Sequence, residues 1–279
     1  MSAIRNYFDN STTKRIIVGV VFGPLVLWIF WNGGYPLFAF LALLTLLGQW
    51  ELFRMLNGNL CFYHHLTGYL AGLAIVTDAA VCKSGHIPLI IVTALIIYFI
   101  IEIITGKEQK LRNISHSLLV TLYPAAFIVY LFKILMSPCV ILGNDNRFLL
   151  VYLVLVIWAF DTVSYFAGRY FGKHPFFPSI SPKKTIEGFW GGIAGVVIFG
   201  SAVTLITGYS FLQIMIVSVL AGFAGQAGDL SESIIKRDVG IKDSSNIIPG
   251  HGGILDRFDS IIFAAPVVYL YLLVYSFGR

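Results

Sequence analysis

The sequence predicts an all-α polytopic membrane protein with about nine transmembrane helices. Hydrophobic residues make up 57% of the 279 positions and charged residues only 12%, about half the charged share of an ordinary soluble chain. The mean hydropathy is +0.83, and apolar runs recur at the length of about 20 residues that a helix needs to cross a bilayer. These properties exclude a soluble domain, a disordered chain, collagen and a disulfide scaffold.

The apolar runs predict nine spans, which follow one another along the whole chain. The first follows Lys14 and Arg15, and we expect it to be retained because no small-residue cleavage site follows it. With no repeat, linker or soluble insertion between the spans, residues 1–279 are predicted to form a single integral membrane domain. The predicted spans are 16–32, 36–53, 66–82, 87–104, 118–136, 148–168, 188–208, 211–228 and 260–277.

The distribution of basic residues predicts the orientation of the spans. Nine alternating spans place 15 of the 19 Lys and Arg residues on the side of the N-terminus, and leave only Lys83, Lys133, Arg147 and Arg279 on the other side. Because cytoplasmic loops carry the excess of Lys and Arg, we expect a cytoplasmic N-terminus and an external C-terminus. The loops 169–187 and 229–259 then both face the cytoplasm.

The loop 229–259 concentrates ten of the 33 charges of the chain. If span 8 continues as a helix, Asp229, Glu232, Ser233 and Lys236 lie on one face. Oxygen ligands of this kind suit Mg²⁺, and neighbouring Lys and Arg side chains suit phosphates. The charged residues of this loop are Asp229, Glu232, Lys236, Arg237, Asp238, Lys242, Asp243, Asp256, Arg257 and Asp259.

A glycine-rich turn, residues 248–253, precedes span 9. Gly250, Gly252 and Gly253 surround His251, and glycines allow backbone amides to approach an anion at a helix N-terminus. A structural role for the histidine is the alternative. Together with the nearby charges, this turn favours an anion-binding function.

The loop 169–187 contains three prolines and is predicted to be an irregular lid. We expect Ser181 to be the N-cap of the next helix, with Pro182 at the first helical position. Lys183 and Lys184 would then point towards an anion. The alternative is a basic pair at the lipid headgroups.

Asp78, Glu102 and Asp161 are acidic residues that fall inside predicted spans. We expect Asp161 to support the polar site formed by the cytoplasmic loops, since a carboxylate within the membrane is by default functional and needs a partner. Asp78 and Glu102 are assigned a structural role or a misplaced span boundary. The cysteines, including Cys82, lack metal-ligand spacing and are interpreted as small apolar residues, and His86 receives no role.

Small residues recur at three- and four-residue spacing in spans 7 and 8. This spacing predicts close helix packing, and an oligomer interface could use the same faces. The glycines concerned are Gly188, Gly191, Gly192, Gly195, Gly222, Gly225 and Gly228.

The charged loop resembles the signature of the phosphatidate cytidylyltransferase (CDP-diacylglycerol synthase) family. The match reads Ser233-Ile-Ile-Lys236-Arg237, then Lys242-Asp243-Ser-Ser245, then Pro249-Gly-His251-Gly252-Gly253-Ile-Leu-Asp256-Arg257-Phe-Asp259. Residues 161–169 and 181–188 are similar to the family too. Ser245 stands where glycine is commoner, and the first five spans match only as apolar helices.

The resemblance implies that CTP and phosphatidate give CDP-diacylglycerol and pyrophosphate with Mg²⁺, with a second, monovalent cation left open. Residues 1–147 would then be a packing or oligomer part, with a homodimer left open, and residues 148–279 the catalytic part. The expected partners are CTP, phosphatidate and the lipid bilayer, with no nucleic acid. The expected location is a bacterial inner membrane with the site on the cytoplasmic side.

The resemblance also implies roles for single residues. The expected metal ligands are Asp229, Asp256 and Asp259. The expected catalytic residues are these three with Lys236, Arg237, Lys242, Asp243, His251 and Arg257. The expected substrate-binding residues are Asp161, Arg169, Ser181, Lys183, Lys184, Thr185, Glu187, Glu232, Ser233, Gly250, Gly252 and Gly253. The alternatives are a related transferase using another lipid phosphate or nucleotide, and an ion-coupled transporter.

Overall fold

A computed structural model describes residues 11–56, 60–82, 85–105, 108–143, 145–245, 247 and 252–278, with side chains from residue 20 onward. Within these ranges the chain forms nine helices and one small hairpin. The helices are α1 (Ser11–Asn32), α2 (Gly34–Met55), α3 (Phe62–Val81), α4 (Ile87–Thr105), α5 (Lys110–Leu135), α6 (Arg147–Phe171), α7 (Ile186–Thr207), α8 (Phe211–Asp238) and α9 (Leu255–Phe277).

The helices confirm the predicted all-α polytopic class. Seven of them, α2 and α4 to α9, are long and apolar enough to cross a membrane within the described chain. The apolar part of α1 that is described is shorter, Val20–Asn32. Helix α3 lies outside this set of seven, because His64, His65 and Asp78 lower its mean hydropathy.

The glycines of α7 and α8 allow close helix contacts, as predicted. A methyl group at Gly191 would overlap Ala167 of α6, and one at Gly195 would lie 2.7 Å from the Val163 side chain. At Gly228, an added Cβ would overlap the Asp259 carbonyl oxygen of α9. These glycine faces therefore pack inside the chain, around α6 and α9.

The segment between α6 and α7 contains an antiparallel hairpin, β1 (Pro175–Phe177) and β2 (Ser181–Thr185). The predicted N-cap at Ser181 is wrong, because β2 pairs with β1 and keeps the backbone extended to residue 185. Thr185 is the N-cap instead, with φ −122° and ψ 153°. Its hydroxyl accepts a hydrogen bond from the Gly188 amide at 3.1 Å.

Glu102 and Asp78, for which the sequence analysis predicted a structural role or a misplaced span boundary, are both buried next to histidines. Glu102 is 2% exposed. Its carboxylate accepts a hydrogen bond from Asn113 at 3.0 Å and lies 3.0 Å from the His64 ring. Asp78 is 6% exposed and accepts a hydrogen bond from the His86 amide at 3.0 Å. Glu102 therefore links α3, α4 and α5, as a structural role requires.

Candidate active site

A cavity of about 740 Å³ lies among α1, α6, α8 and α9. Its charged lining comes from the C-terminal part of α8, the segment that follows α8, the start of α9 and Asp161 of α6. Its apolar lining comes from α1, from the turns of α6 that precede Asp161, and from α9. The charged residues are Asp161, Asp229, Lys236, Arg237, Lys242, Asp243, Asp256, Arg257 and Asp259; the apolar residues are Phe22, Val26, Val154, Ile157, Trp158, Phe258 and Ile261.

Helix α8 continues past Gly228 to Asp238, so the predicted polar face is a real helix face. Lys236 on this face is 7% exposed and Glu232 is fully buried. The Lys236 ammonium lies 2.5 Å from an Asp256 carboxylate oxygen and 3.3 Å from Glu232. A buried ionic cluster therefore joins α8 to the start of α9.

Asp256 organises the turn before α9. Its Oδ2 atom accepts hydrogen bonds from the Ser244 amide at 3.1 Å, the Ser244 hydroxyl at 3.1 Å and the Gly253 amide at 2.8 Å. A side chain at Gly253 would overlap the Ser244 hydroxyl and the Glu51 carboxylate. The glycine is therefore required by close contact with these polar groups.

Glu51, at the C-terminal end of α2, is the site residue that the sequence analysis missed. It is fully buried and accepts hydrogen bonds from the Ile254 amide at 2.8 Å and the Leu255 amide at 2.9 Å. Ser244 and Ser245 donate to the same carboxylate. The sequence did contain a signal for Glu51: it lies inside predicted span 36–53, and a carboxylate within a membrane span needs a partner.

The hairpin and the end of α8 meet. The Lys184 ammonium lies 2.5 Å from an Asp229 carboxylate oxygen, and Arg237 Nε donates to the Ile180 carbonyl at 3.1 Å. The structure therefore brings the two predicted loops into direct contact. Glu187 holds the base of the hairpin, where it accepts hydrogen bonds from the Lys173 and His174 amides at 3.0 and 3.2 Å.

The other candidate residues occupy several positions. Ser233 also lines the cavity, and its hydroxyl lies 3.4 Å from Asp229. Arg169 is exposed and donates to the Tyr165 hydroxyl of its own helix at 3.2 Å. Lys183 is exposed on β2. His251 and Gly250 lie outside the described residues, whereas Gly252 adopts φ +84° beside Asp256.

The candidate metal ligands share the cavity lining, but their ligand atoms do not converge. In the described part of the chain, three metal-ligating atoms lie within 4.8 Å of one another only at Asp78, Cys82 and His86. Lysine ammonium groups contact Asp229 and Asp256. The donors are all carboxylate oxygens, which fits Mg²⁺ held by one or two protein carboxylates and completed by phosphates and water.

Comparison with known proteins assigns the family. A model described as the cytidylyltransferase family matches residues 13–275. The chain belongs to this family. A Staphylococcus epidermidis phosphatidate cytidylyltransferase is 31% identical over 269 residues, which cover 94% of this chain and 98% of the relative.

Two other relatives match part of the chain at higher identity. The phosphatidate cytidylyltransferase of Aquifex aeolicus is 42% identical over 165 residues, 59% of each chain. That of Bacillus subtilis is 42% identical over 127 residues, 45% of this chain and 47% of the relative. These two alignments span about half of each relative, whereas the Staphylococcus alignment spans nearly all of it.

Proposed function

We propose that the protein transfers the cytidylyl group of CTP to phosphatidate and releases pyrophosphate. An oxygen of the lipid phosphate forms a bond to the α-phosphorus of CTP, and the bond from that phosphorus to the β-phosphate oxygen breaks. Membership of the family and the names of the relatives support this reaction. The observation that carries it is one cavity that combines phosphate-binding cations, carboxylates and an apolar wall.

The cations in the cavity suit the phosphates. Lys242 and Arg257 are exposed on its lining, where they stabilise charge on the triphosphate, the lipid phosphate and the leaving pyrophosphate. Arg237 fixes the hairpin against α8, and Lys236 fixes Asp256. The lipid phosphate is already largely ionised at neutral pH, so the transfer needs charge stabilisation and alignment more than a strong general base.

Asp229, Asp256 and Asp259 are the proposed Mg²⁺ ligands; they are three of the five aspartates that line the cavity, and the family resemblance points to these three. Bound Mg²⁺ would neutralise charge on the phosphates during transfer. Ser244, Gly253 and Lys236 already orient the Asp256 carboxylate. This chain therefore holds one proposed ligand in place through its own hydrogen bonds.

The apolar lining supports a lipid substrate. Phe22 and Val26 of α1 face the same cavity as Val154 and Trp158 of α6, so acyl chains can remain among apolar groups while the phosphate reaches the charged residues. We place this charged part on the cytoplasmic side of a bacterial inner membrane, where CTP is available. The concentration of Lys and Arg in loops 169–187 and 229–259 supports that orientation.

The test uses purified protein in detergent with phosphatidate and CTP labelled at the α-phosphate. We expect label in CDP-lipid only with Mg²⁺, and little or none with Asp229→Asn. Asp145→Asn is the matched control, since Asp145 is exposed at the other end of α6, and it should retain activity. A folded wild-type protein that labels no lipid, or labels another lipid phosphate faster, would reject the proposed substrate.

A further inference from the structure

Glu51 connects the N-terminal half of the chain to the turn that precedes Asp256. We propose that Glu51 is a positioning residue for the two described ends of the turn before α9, residues 244–245 and 252–254, and through them for Asp256 and divalent cation binding; this inference rests on the proposed function. Glu51 lies in α2, about 200 residues before its partners. It is fully buried, and protein groups hold its carboxylate.

The Glu51 carboxylate contacts both ends of the turn. Oε2 accepts hydrogen bonds from the Ser244 hydroxyl at 3.0 Å and the Leu255 amide at 2.9 Å. Oε1 accepts from the Ser245 hydroxyl and from the Ile254 amide at 2.8 Å. Four donors on one buried carboxylate hold the two ends of the turn at a single point.

The contact reaches the proposed metal ligand through one residue. The Ser244 hydroxyl lies within hydrogen-bonding distance of both Glu51 and Asp256, and the Ser244 amide also donates to Asp256. The amides of Ile254 and Leu255 begin α9, where a helix N-terminus favours negative charge. Glu51 therefore fixes the direction in which the first turn of α9 presents Asp256.

The test compares Glu51→Gln with Glu102→Gln. Both residues are buried carboxylates of the N-terminal half, but Glu102 contacts Asn113 and His64 instead of the turn. We measure Mn²⁺ binding by electron paramagnetic resonance, together with kcat and the Mg²⁺ concentration for half-maximal activity. Glu51→Gln should weaken Mn²⁺ binding and raise the Mg²⁺ requirement about 10- to 100-fold, as loss of partners that orient metal ligands does.

The controls separate positioning from stability. Glu102→Gln should lower the unfolding temperature without changing the Mg²⁺ requirement, and Glu51→Asp should recover part of the lost Mn²⁺ affinity. If Glu51→Gln does not fold, Ser245→Ala, which removes one of the four donors, should show a smaller shift in the same direction. Unchanged Mn²⁺ binding in the folded variants, equal shifts in Glu102→Gln, or no Mn²⁺ binding to the wild type would overturn the inference. Mn²⁺ binding without CDP-lipid formation would reject the proposed function alone.

A second inference concerns the opposite end of α3. The geometry points to a transition-metal site formed by Asp78, Cys82 and His86, whose ligand atoms all lie within 4.8 Å of one another. The N-terminal end of α3 packs near the C-terminal end of α2, where the tilted rings of His65 and Phe53 have centroids 4.3 Å apart. Asp78 lies 13 residues further along the helix, or about 20 Å, so this cluster is remote from the cavity.

The surroundings of Asp78 favour a cation. Its buried carboxylate contacts the His86 ring at 2.8 Å, and no Lys or Arg among the described residues lies within ion-pair distance of it. The cluster also lies at the C-terminal end of a helix, which favours positive charge. Cys82 and His86 are exposed, so an ion can reach them from solvent.

Carboxylate, thiolate and imidazole with a water molecule form a ligand set that Zn²⁺ accepts. The proposed ligand is therefore a borderline-soft divalent ion, distinct from the Mg²⁺ proposed for the cavity.

Co²⁺ is the probe, added to the full chain in detergent after removal of any affinity tag. We expect a thiolate-to-Co²⁺ charge-transfer band in the wild type and in Cys139→Ser, displaced by Zn²⁺ and absent in Cys82→Ser. His86→Ala should weaken Zn²⁺ binding measured by calorimetry at least tenfold. Absence of the band in the wild type, or its retention in Cys82→Ser, would overturn the assignment.

Discussion

Replacing Lys236 by methionine should destabilise the contact between α8 and α9 by about 3–5 kcal/mol, the usual effect of removing one partner from a buried ion pair. Lys236 is 7% exposed, and its ammonium lies between Asp256 and Glu232 at 2.5 and 3.3 Å. Methionine preserves most of the side-chain volume but removes the positive charge. Two carboxylates would then remain close together in a buried position without their shared cation.

The assay is the free energy of unfolding in detergent, followed by tryptophan fluorescence. Lys133→Met is the matched control: Lys133 lies over the rings of Tyr130 and Tyr269 at 5.0 and 5.8 Å, a contact whose loss costs about 0.5–1 kcal/mol. Adding Glu232→Gln to Lys236→Met should recover about 1–3 kcal/mol, because the pair is coupled. Equal effects of the two methionine variants, or strict additivity with Glu232→Gln, would refute the reasoning.

Three further predictions concern the hairpin and the helix contacts. Thr185→Ala should lower stability by about 1 kcal/mol through loss of the N-cap, whereas Thr185→Ser should not; thermal unfolding checks both, and equal losses would contradict the cap. Gly228→Ala should cost about 1–3 kcal/mol, since its Cβ would overlap the α9 backbone, whereas Gly225→Ala meets its nearest atom at 3.4 Å and should cost less in denaturant titration. Lys184→Gln removes the cation next to Asp229 and should raise the KM for CTP about tenfold; an unchanged KM would remove Lys184 from the site.

The helices could be predicted from sequence because apolar runs of span length have few other structures open to them in a bilayer. The face containing Asp229 and Lys236 followed from helical periodicity, and α8 has that face. The hairpin could not be predicted, because Pro182 is compatible with both a first helical position and an edge strand. The pairing of β2 with β1 decides in favour of the strand, and local sequence patterns do not reveal this pairing.

Glu51 shows more clearly which contacts cannot be predicted from the sequence. A single acidic residue near the end of a predicted span is compatible with an exposed boundary position, and only the fold brings it to Ser244 and Leu255. Asp78 and His86 are eight residues apart and meet because the chain turns after α3. Local periodicity carries no information on such contacts.

The most direct test of the proposed reaction follows two labels in parallel, one at the α-phosphate and one at the γ-phosphate of CTP, with phosphatidate and Mg²⁺. Cytidylyl transfer predicts that the α-label enters the lipid fraction while the γ-label leaves as pyrophosphate, in equal amounts. Appearance of the γ-label in lipid would show phosphoryl transfer instead, and appearance of neither label in lipid would contradict the proposed function.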